Sequence, residues 1–224
     1  MPKNKLLRSA TRLAVVGAAL ALTACAVQKP SYDYTAFRES RPASILVLPP
    51  LNKTVDIRAS YSVMSTVTAP LAESGYYVFP VAVVDQTFKE NGLEHPADMH
   101  QAPLPKLRDI FGADAVFYVT VEDYGTKYLV IDSSTVVSAT GKLVDTRTGA
   151  LLWQGRATAS DAENRQNSGG GLVGLLVTAL VRQIAGSVSD PGHGLSHLAS
   201  ARLLHARPGG LLYGPRSPQY QKEQ

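Results

Sequence analysis

The sequence predicts an α/β (α+β) fold: a mixed β-sheet with a long antiparallel hairpin and helices packed on it. Three observations carry this prediction. Short apolar runs are stopped by Pro or Gly, stretches with three- and four-residue apolar spacing lie between them, and a Val/Thr-rich segment folds back through a Gly-ended turn.

Ser44-Ile45-Leu46-Val47-Leu48 is a continuous apolar run stopped by Pro49-Pro50, the pattern of a strand buried on both faces. Residues 57 to 73 place Ile57, Tyr61, Met64, Val67 and Leu71 at helical spacing ahead of Gly75, with Pro70 expected to bend or shorten the last turn. Tyr76-Tyr77-Val78-Phe79-Pro80 reads as a second strand, and residues 83 to 90 as a short helix closed by Asn91-Gly92. Another helix is expected over 103 to 111, with Leu104, Leu107 and Phe111 on one face before Gly112. Residues 115 to 121 form a central strand. Residues 127 to 144 and 150 to 159 then read as the two strands of the hairpin, joined by Asp145-Thr146-Arg147-Thr148-Gly149, with Ser133-Ser134 marking a bend or bulge in the first. Helices are expected at about 170 to 187 and 194 to 206.

The ends of the chain read differently. Lys3, Lys5, Arg8 and Arg12 precede an uncharged run from Leu13 to Ala24, which is the anatomy of an export signal and too short for a spanning helix. It closes on Leu22-Thr23-Ala24-Cys25, which resembles the lipobox of bacterial lipoproteins. That resemblance implies cleavage before Cys25 and acylation of its thiol and new amine, and each buried methylene of the acyl chains adds about 0.8 kcal/mol of membrane affinity. Ala26 stands where many enteric lipoproteins destined for the inner membrane carry Asp, so the outer membrane is implied. The expected organisation is a signal peptide over 1–24, a lipidated tether over 25–43, a single α/β periplasmic domain over 44–206, and a flexible Pro/Gly-rich tail over 207–224.

Removing the signal changes the charge balance. The chain has 22 Lys plus Arg against 18 Asp plus Glu, and four of the basic residues fall in the signal, so the mature part is balanced. No basic stripe is left for a nucleic-acid partner. Cys25 is the only cysteine, so its lipidation leaves no thiol for a disulfide or a metal.

The motifs that spell chemistry sit in the wrong context. Gly169-Gly170-Gly171-Leu172-Val173-Gly174 fits the dinucleotide-cradle spelling, but a polar loop separates it from the preceding strand, so it reads as a hinge and no cofactor is expected. From Ser168 to Val181 there is no charge, and Leu172, Leu176 and Leu180 stand out as a candidate partner surface on a helix apolar on more than one face. His193 and His197 are four apart, with His205 two turns on, yet no Glu follows His193 and no metal site is expected. Glu122 and Asp123 are adjacent on a strand end and would point to opposite faces of a regular strand, which rules out a facing acid/base pair. No Ser-centred elbow or P-loop is spelled.

The lipobox, the Ser44 to Pro50 opening, Phe111-Gly112-Ala113-Asp114-Ala115-Val116, and the passage from Leu143 through Asp145-Thr146-Arg147-Thr148-Gly149 to Trp153 together resemble a family of proteobacterial outer-membrane lipoproteins of unknown function that includes a neisserial vaccine-candidate antigen. The strand-turn-strand wording is also similar to the curli-secretion lipoprotein family, and the implied fold to the amino-terminal domain of the Tol-system periplasmic protein. The resemblance implies no catalytic residues. It implies a non-enzymatic accessory subunit of an envelope transport, secretion or surface-assembly complex, anchored in the outer membrane and facing the periplasm. The expected partners are the bilayer through Cys25, other envelope proteins such as a curli-secretion-like lipoprotein, and a second copy of the chain. A periplasmic ligand- or peptidoglycan-binding lipoprotein is the alternative, and an envelope hydrolase a third class.

Overall fold

The first strand, β1 (Ser44–Val47), is apolar at every position after Ser44. That composition places it inside a sheet, between β3 (Tyr77–Val78) and β4 (Ala115–Tyr128), both parallel to it. The computed structural model that shows this describes residues 32–128, 133–163, 190–205 and 209–222. A short β2 (Leu51–Asn52) continues along β4 beyond β1, pairing at Leu51 with Thr120. On its other edge β4 pairs antiparallel with β5 (Ser133–Asp145), and β5 with β6 (Leu151–Ser160). The order is therefore β3-β1-β4-β5-β6, and the sheet is mixed as expected.

Two helical layers cover it. On one face α6 (Pro191–Leu204) lies across β4, β5 and β6, beside α2 (Ala59–Glu73). On the other, α3 (Val81–Glu90), α4 (Pro96–Met99) and α5 (Leu104–Phe111) enclose Val84, Phe88, Met99 and Leu107 with Leu46, Leu48 and Val116 of the sheet side. Neighbouring strand residues alternate faces, so Val116 serves that cluster while Phe117 points to α6. Pro70 lies inside α2 without shortening it, and the helix continues to Glu73.

Four expectations are corrected. The long strand expected over 127 to 144 is two strands: β4 extends to Tyr128, opposite Ser133, and the chain reverses between them. Ser133-Ser134 therefore opens β5 and marks no bend. The domain begins before residue 44, since Asp33 already belongs to its compact unit and α1 (Thr35–Ser40) buries Phe37. Residues 209–222 are not a free tail. Leu211 is buried, Gly209 O accepts from Trp153 Nε1 at 3.2 Å, Leu212 O from the Tyr76 hydroxyl, and Ser74 O from Gly214 N at 2.7 Å. The glycines there allow close approach: a Cβ on Gly214 would lie 2.6 Å from the Gly75 carbonyl oxygen.

Candidate functional site

Apolar side chains normally exposed singly are here gathered on one loop. Val55 and Ile57, between β2 and α2, are 101% and 87% exposed, and Tyr61 on the first turns of α2 is 58% exposed. The loop is fastened by its own polar residues. Asn52 Oδ1 accepts from Thr54 N and Asn52 Nδ2 donates to Asp56 O, both at 2.8 Å. Asp56 Oδ1 accepts from Arg58 N at 2.9 Å, and Arg58 also grips the carboxylate through Nε and a terminal nitrogen. These Arg58 side-chain and backbone bonds hold the Asp56 carboxyl below its ordinary pKa. Behind Ile57 and Tyr61 runs a groove of about 500 Å3 lined by Leu51, Met64, Asp85 and His95 among others. Lys89 ties two of its lining residues together, donating to the Tyr61 hydroxyl at 3.2 Å and pairing with Asp85 at 2.6 Å.

Arg58 also links this loop to the sheet. Its second terminal nitrogen lies 3.3 Å from Asp190 Oδ2, which accepts from the Tyr124 hydroxyl at 2.9 Å. Asp190 Oδ1 caps α6 by accepting from Gly192 N at 3.0 Å. Tyr124 reaches this cluster because β4 carries a bulge between Val121 and Asp123. The extra residue, Glu122, switches the alternation so that Tyr124 lands on the α6 face beside Val121 and Phe117. Burial, with the Asp190 carboxylate adding to it, pushes the Tyr124 phenol up to about 12. Glu122 and Asp123 are each paired, with Lys53 at 3.1 Å and Lys127 at 2.5 Å, so the irregular strand still gives no acid/base couple.

Along the α2–α6 seam small hydroxyl residues replace apolar ones. Ser62 Oγ donates to Ser196 Oγ at 3.0 Å and lies 2.9 Å from His193 Nδ1, and Thr66 and Ser200 pair at 2.8 Å. His193 and His197 stack edge to face at 5.1 Å. Burial, and then His193, lower the His197 pKa. Among the described residues no three His, Cys, Asp or Glu side chains converge as a metal shell requires. His193 is instead a seam residue, and its partner Ser62 carries no signal in the sequence, since a serine at a helical interval looks like any exposed one.

Cys25 with Leu22, Thr23 and Ala24, and the Leu172, Leu176 and Leu180 surface, lie outside the described residues. Among the described residues no helix is long and apolar enough to cross a membrane. Val55 carries no signal in its polar loop, and Ile57 and Tyr61, expected on the apolar face of a helix over 57–73, are corrected: the helix begins only at Ala59, which leaves Ile57 in the loop, and both side chains are exposed.

A family model described as "Putative lipoprotein GNA1162-like" matches residues 32–216. The chain belongs to the GNA1162-like lipoprotein family. A GNA1162-like relative from Neisseria meningitidis serogroup B, "Putative lipoprotein NMB1124/NMB1162", is 52% identical over 203 residues, covering 90% of this chain and 94% of the relative. The crystal structure of lipoprotein GNA1162 from Neisseria meningitidis matches with a TM-score of 0.53 and 52% identity, covering 65% of this chain and all of that one. A PelC dodecamer from Paraburkholderia phytofirmans is similar at 20% identity and a TM-score of 0.39, over 71% of this chain and 89% of that one.

Proposed function

We propose that this GNA1162-like lipoprotein is exported, cut before Cys25, lipidated there and held at the inner leaflet of the outer membrane, where it docks another envelope protein as a non-enzymatic accessory subunit. The observation that carries the docking reading is the fastened display of Val55 and Ile57. Two nearly fully exposed β-branched residues on a loop fixed by Asn52, Asp56 and Arg58 are a liability in a monomer, and a contact surface once a partner covers them.

Position supports this reading. The tether leads into α1, whose Ser40 hydroxyl donates to Asp145, the register partner of Ala115 at the start of β4, whereas the loop follows β2, which pairs with Val121 of β4. Val121 lies six residue steps along β4 from Ala115, about 20 Å at the usual strand rise. The anchored pole and the apolar loop therefore lie at opposite ends of the parallel strands. An anchored protein with its contact surface turned from the bilayer gains effective concentration for a periplasmic or membrane partner without high intrinsic affinity.

Cross-linking and recovery from intact envelopes test the proposal, with the native lipoprotein beside Val55→Asp/Ile57→Asp and a Cys25→Ser form directed to the periplasm. A stoichiometric envelope protein recovered with the native form, and lost with the loop variant at unchanged thermal stability, is the expected result. Equal recovery with the loop variant sinks the loop, and no partner with any form sinks the accessory role.

A further inference from the structure

The pole where the tether enters carries a cavity that the docking loop does not explain. It is about 260 Å3 and is lined by Phe37, Arg38, Arg41, Tyr213, Tyr220 and Gln219 among others. Two arginines and two tyrosines face one space, and among the described residues no carboxylate lines it. Acidic neighbours exist on the same short helix, Asp33 ahead of it and Glu39 within it, but neither lines the cavity.

Arg41 has an unusual backbone. It is the C-cap of α1 with φ 49° and ψ 55°, the left-handed conformation that helix ends usually give to Gly. Its N–H donates to Phe37 O at 3.0 Å and its Nε to Arg38 O at 3.2 Å, so the strained residue is locked in place. A glycine would relieve the backbone and lose only the side chain. The floor is equally fixed, because Leu212 accepts from the Tyr76 hydroxyl and Gly210 O accepts from the Tyr34 hydroxyl.

The ligand chemistry follows from where this pole sits. From Cys25 to Asp33 there are eight peptide units, which span at most about 29 Å fully extended. With lipid on Cys25, the pole bearing Asp33 cannot leave the bilayer surface by more than that. Arginines recognise phosphate as a planar fork, and tyrosines settle at the headgroup level with one apolar and one wet end.

We propose that the cavity between α1 and the 209–222 segment binds the phosphate headgroup of an anionic phospholipid through Arg38 and Arg41, seating this pole on the membrane that carries the lipid anchor. The proposal rests on the lipidated reading of Cys25 for its geometry. The site orients the domain on the membrane and keeps the Val55 loop pointed into the periplasm.

The test uses the whole mature chain with Cys25→Ser, so that binding reads the cavity and not the acyl chains. Flotation is measured at low ionic strength with phosphatidylethanolamine vesicles, with and without phosphatidylglycerol. Binding that requires phosphatidylglycerol and weakens with salt is expected, with a loss of about five-fold for each arginine removed. Arg41→Gly is the decisive variant, since it should fold at least as well as the parent and bind less. Lys53→Gln/Lys127→Gln at the opposite pole should bind as the parent does. Equal binding to vesicles without phosphatidylglycerol, unchanged binding by Arg38→Gln/Arg41→Gly, or displacement by inorganic phosphate as effective as by the vesicles overturns the proposal. The mass of the native protein separately reports acylation. A lipidated native protein whose Cys25→Ser variant ignores vesicles keeps the anchor and loses the cavity site, and an unlipidated native protein whose Cys25→Ser variant binds them does the reverse.

Discussion

Gly141 and Gly155 are register partners across β5 and β6, and together they leave the hollow in which two aromatic rings lie. A Cβ on Gly141 would sit 2.5 Å from the Phe117 ring, and one on Gly155 2.4 Å from the Trp153 indole, with Leu203 of α6 closing over both. Phe117 and Trp153 are almost wholly buried, with ring centroids 6.5 Å apart. Neither ring has room to retreat. Gly141→Ala is therefore expected to cost about 1–3 kcal/mol by overpacking, with Tm falling about 2–4 °C for each kcal/mol in a domain of this size. Calorimetry decides it, and a Tm unchanged within error would show that the rings can shift at no cost.

The 209–222 segment has a matching prediction. Deleting residues 208–224 removes the Gly209 acceptor of Trp153, the Leu212 acceptor of Tyr76 and the buried Leu211. One large apolar side chain and two hydrogen bonds together amount to roughly 3–5 kcal/mol. The urea midpoint should fall, and Trp153 emission should shift to the red as the indole meets water. A truncated chain with the parent's midpoint and emission would return this segment to the status of a dispensable tail.

These two cases show where the sequence was legible. β1, α2, α5 and the β5–β6 hairpin were readable because their apolar residues recur at the period of the element, and the Asp145 to Gly149 turn has the chemistry its shape needs. The β4–β5 reversal was not, since an apolar, β-branched run spans it and the polar Ser133-Ser134 beside it reads equally as a bend within one strand or as the start of the next. Composition misled at the C-terminus for a definite reason: Gly and Pro signal a loop, yet Gly214 serves a close contact with Gly75 that only tertiary structure defines. The bulge at Glu122 is likewise silent in the residue types and visible only in the register.

The turn itself makes an acid-sensitive lock. Asp145 has no exposed surface, and burial alone would raise its pKa. The Ser40 hydroxyl, the Thr148 and Arg147 N–H groups at 2.8 Å and the Arg147 guanidinium outweigh that and hold it down to about 2. A carboxyl depressed in the folded state stabilises above its unfolded pKa near 3.8, and that stability is lost as pH falls towards 2. The loss is at most about 2 kcal/mol. Urea unfolding from pH 6 down to about 2 should show this step in the parent and a shallower slope in Asp145→Asn. Parallel slopes would mean the carboxylate titrates no differently in the two states.

His100 gives the last pH dependence, in the opposite half of the sheet. Its ring lies edge-on to Tyr118 at 5.3 Å, and Nε2–H donates to the Pro49 carbonyl at 2.9 Å, which joins α4 to the end of β1. Burial lowers its pKa below the ordinary 6.5, and the Pro49 bond opposes this only in part. Because the fold favours the neutral ring, the unfolded chain binds more protons between those two pKa values, so stability is full above about 6.5 and declines as pH falls below it. His197, depressed by burial and by His193, adds to the same decline from the other face of the sheet. His100→Gln keeps a donor for Pro49 and removes the titration, so its stability should vary less between pH 7.5 and 5 than the parent's. Proton NMR of the imidazole gives the direct measurement: His100 should titrate below 6.5 in the folded protein, and a value at or above that would show that the Pro49 bond, not burial, governs the ring.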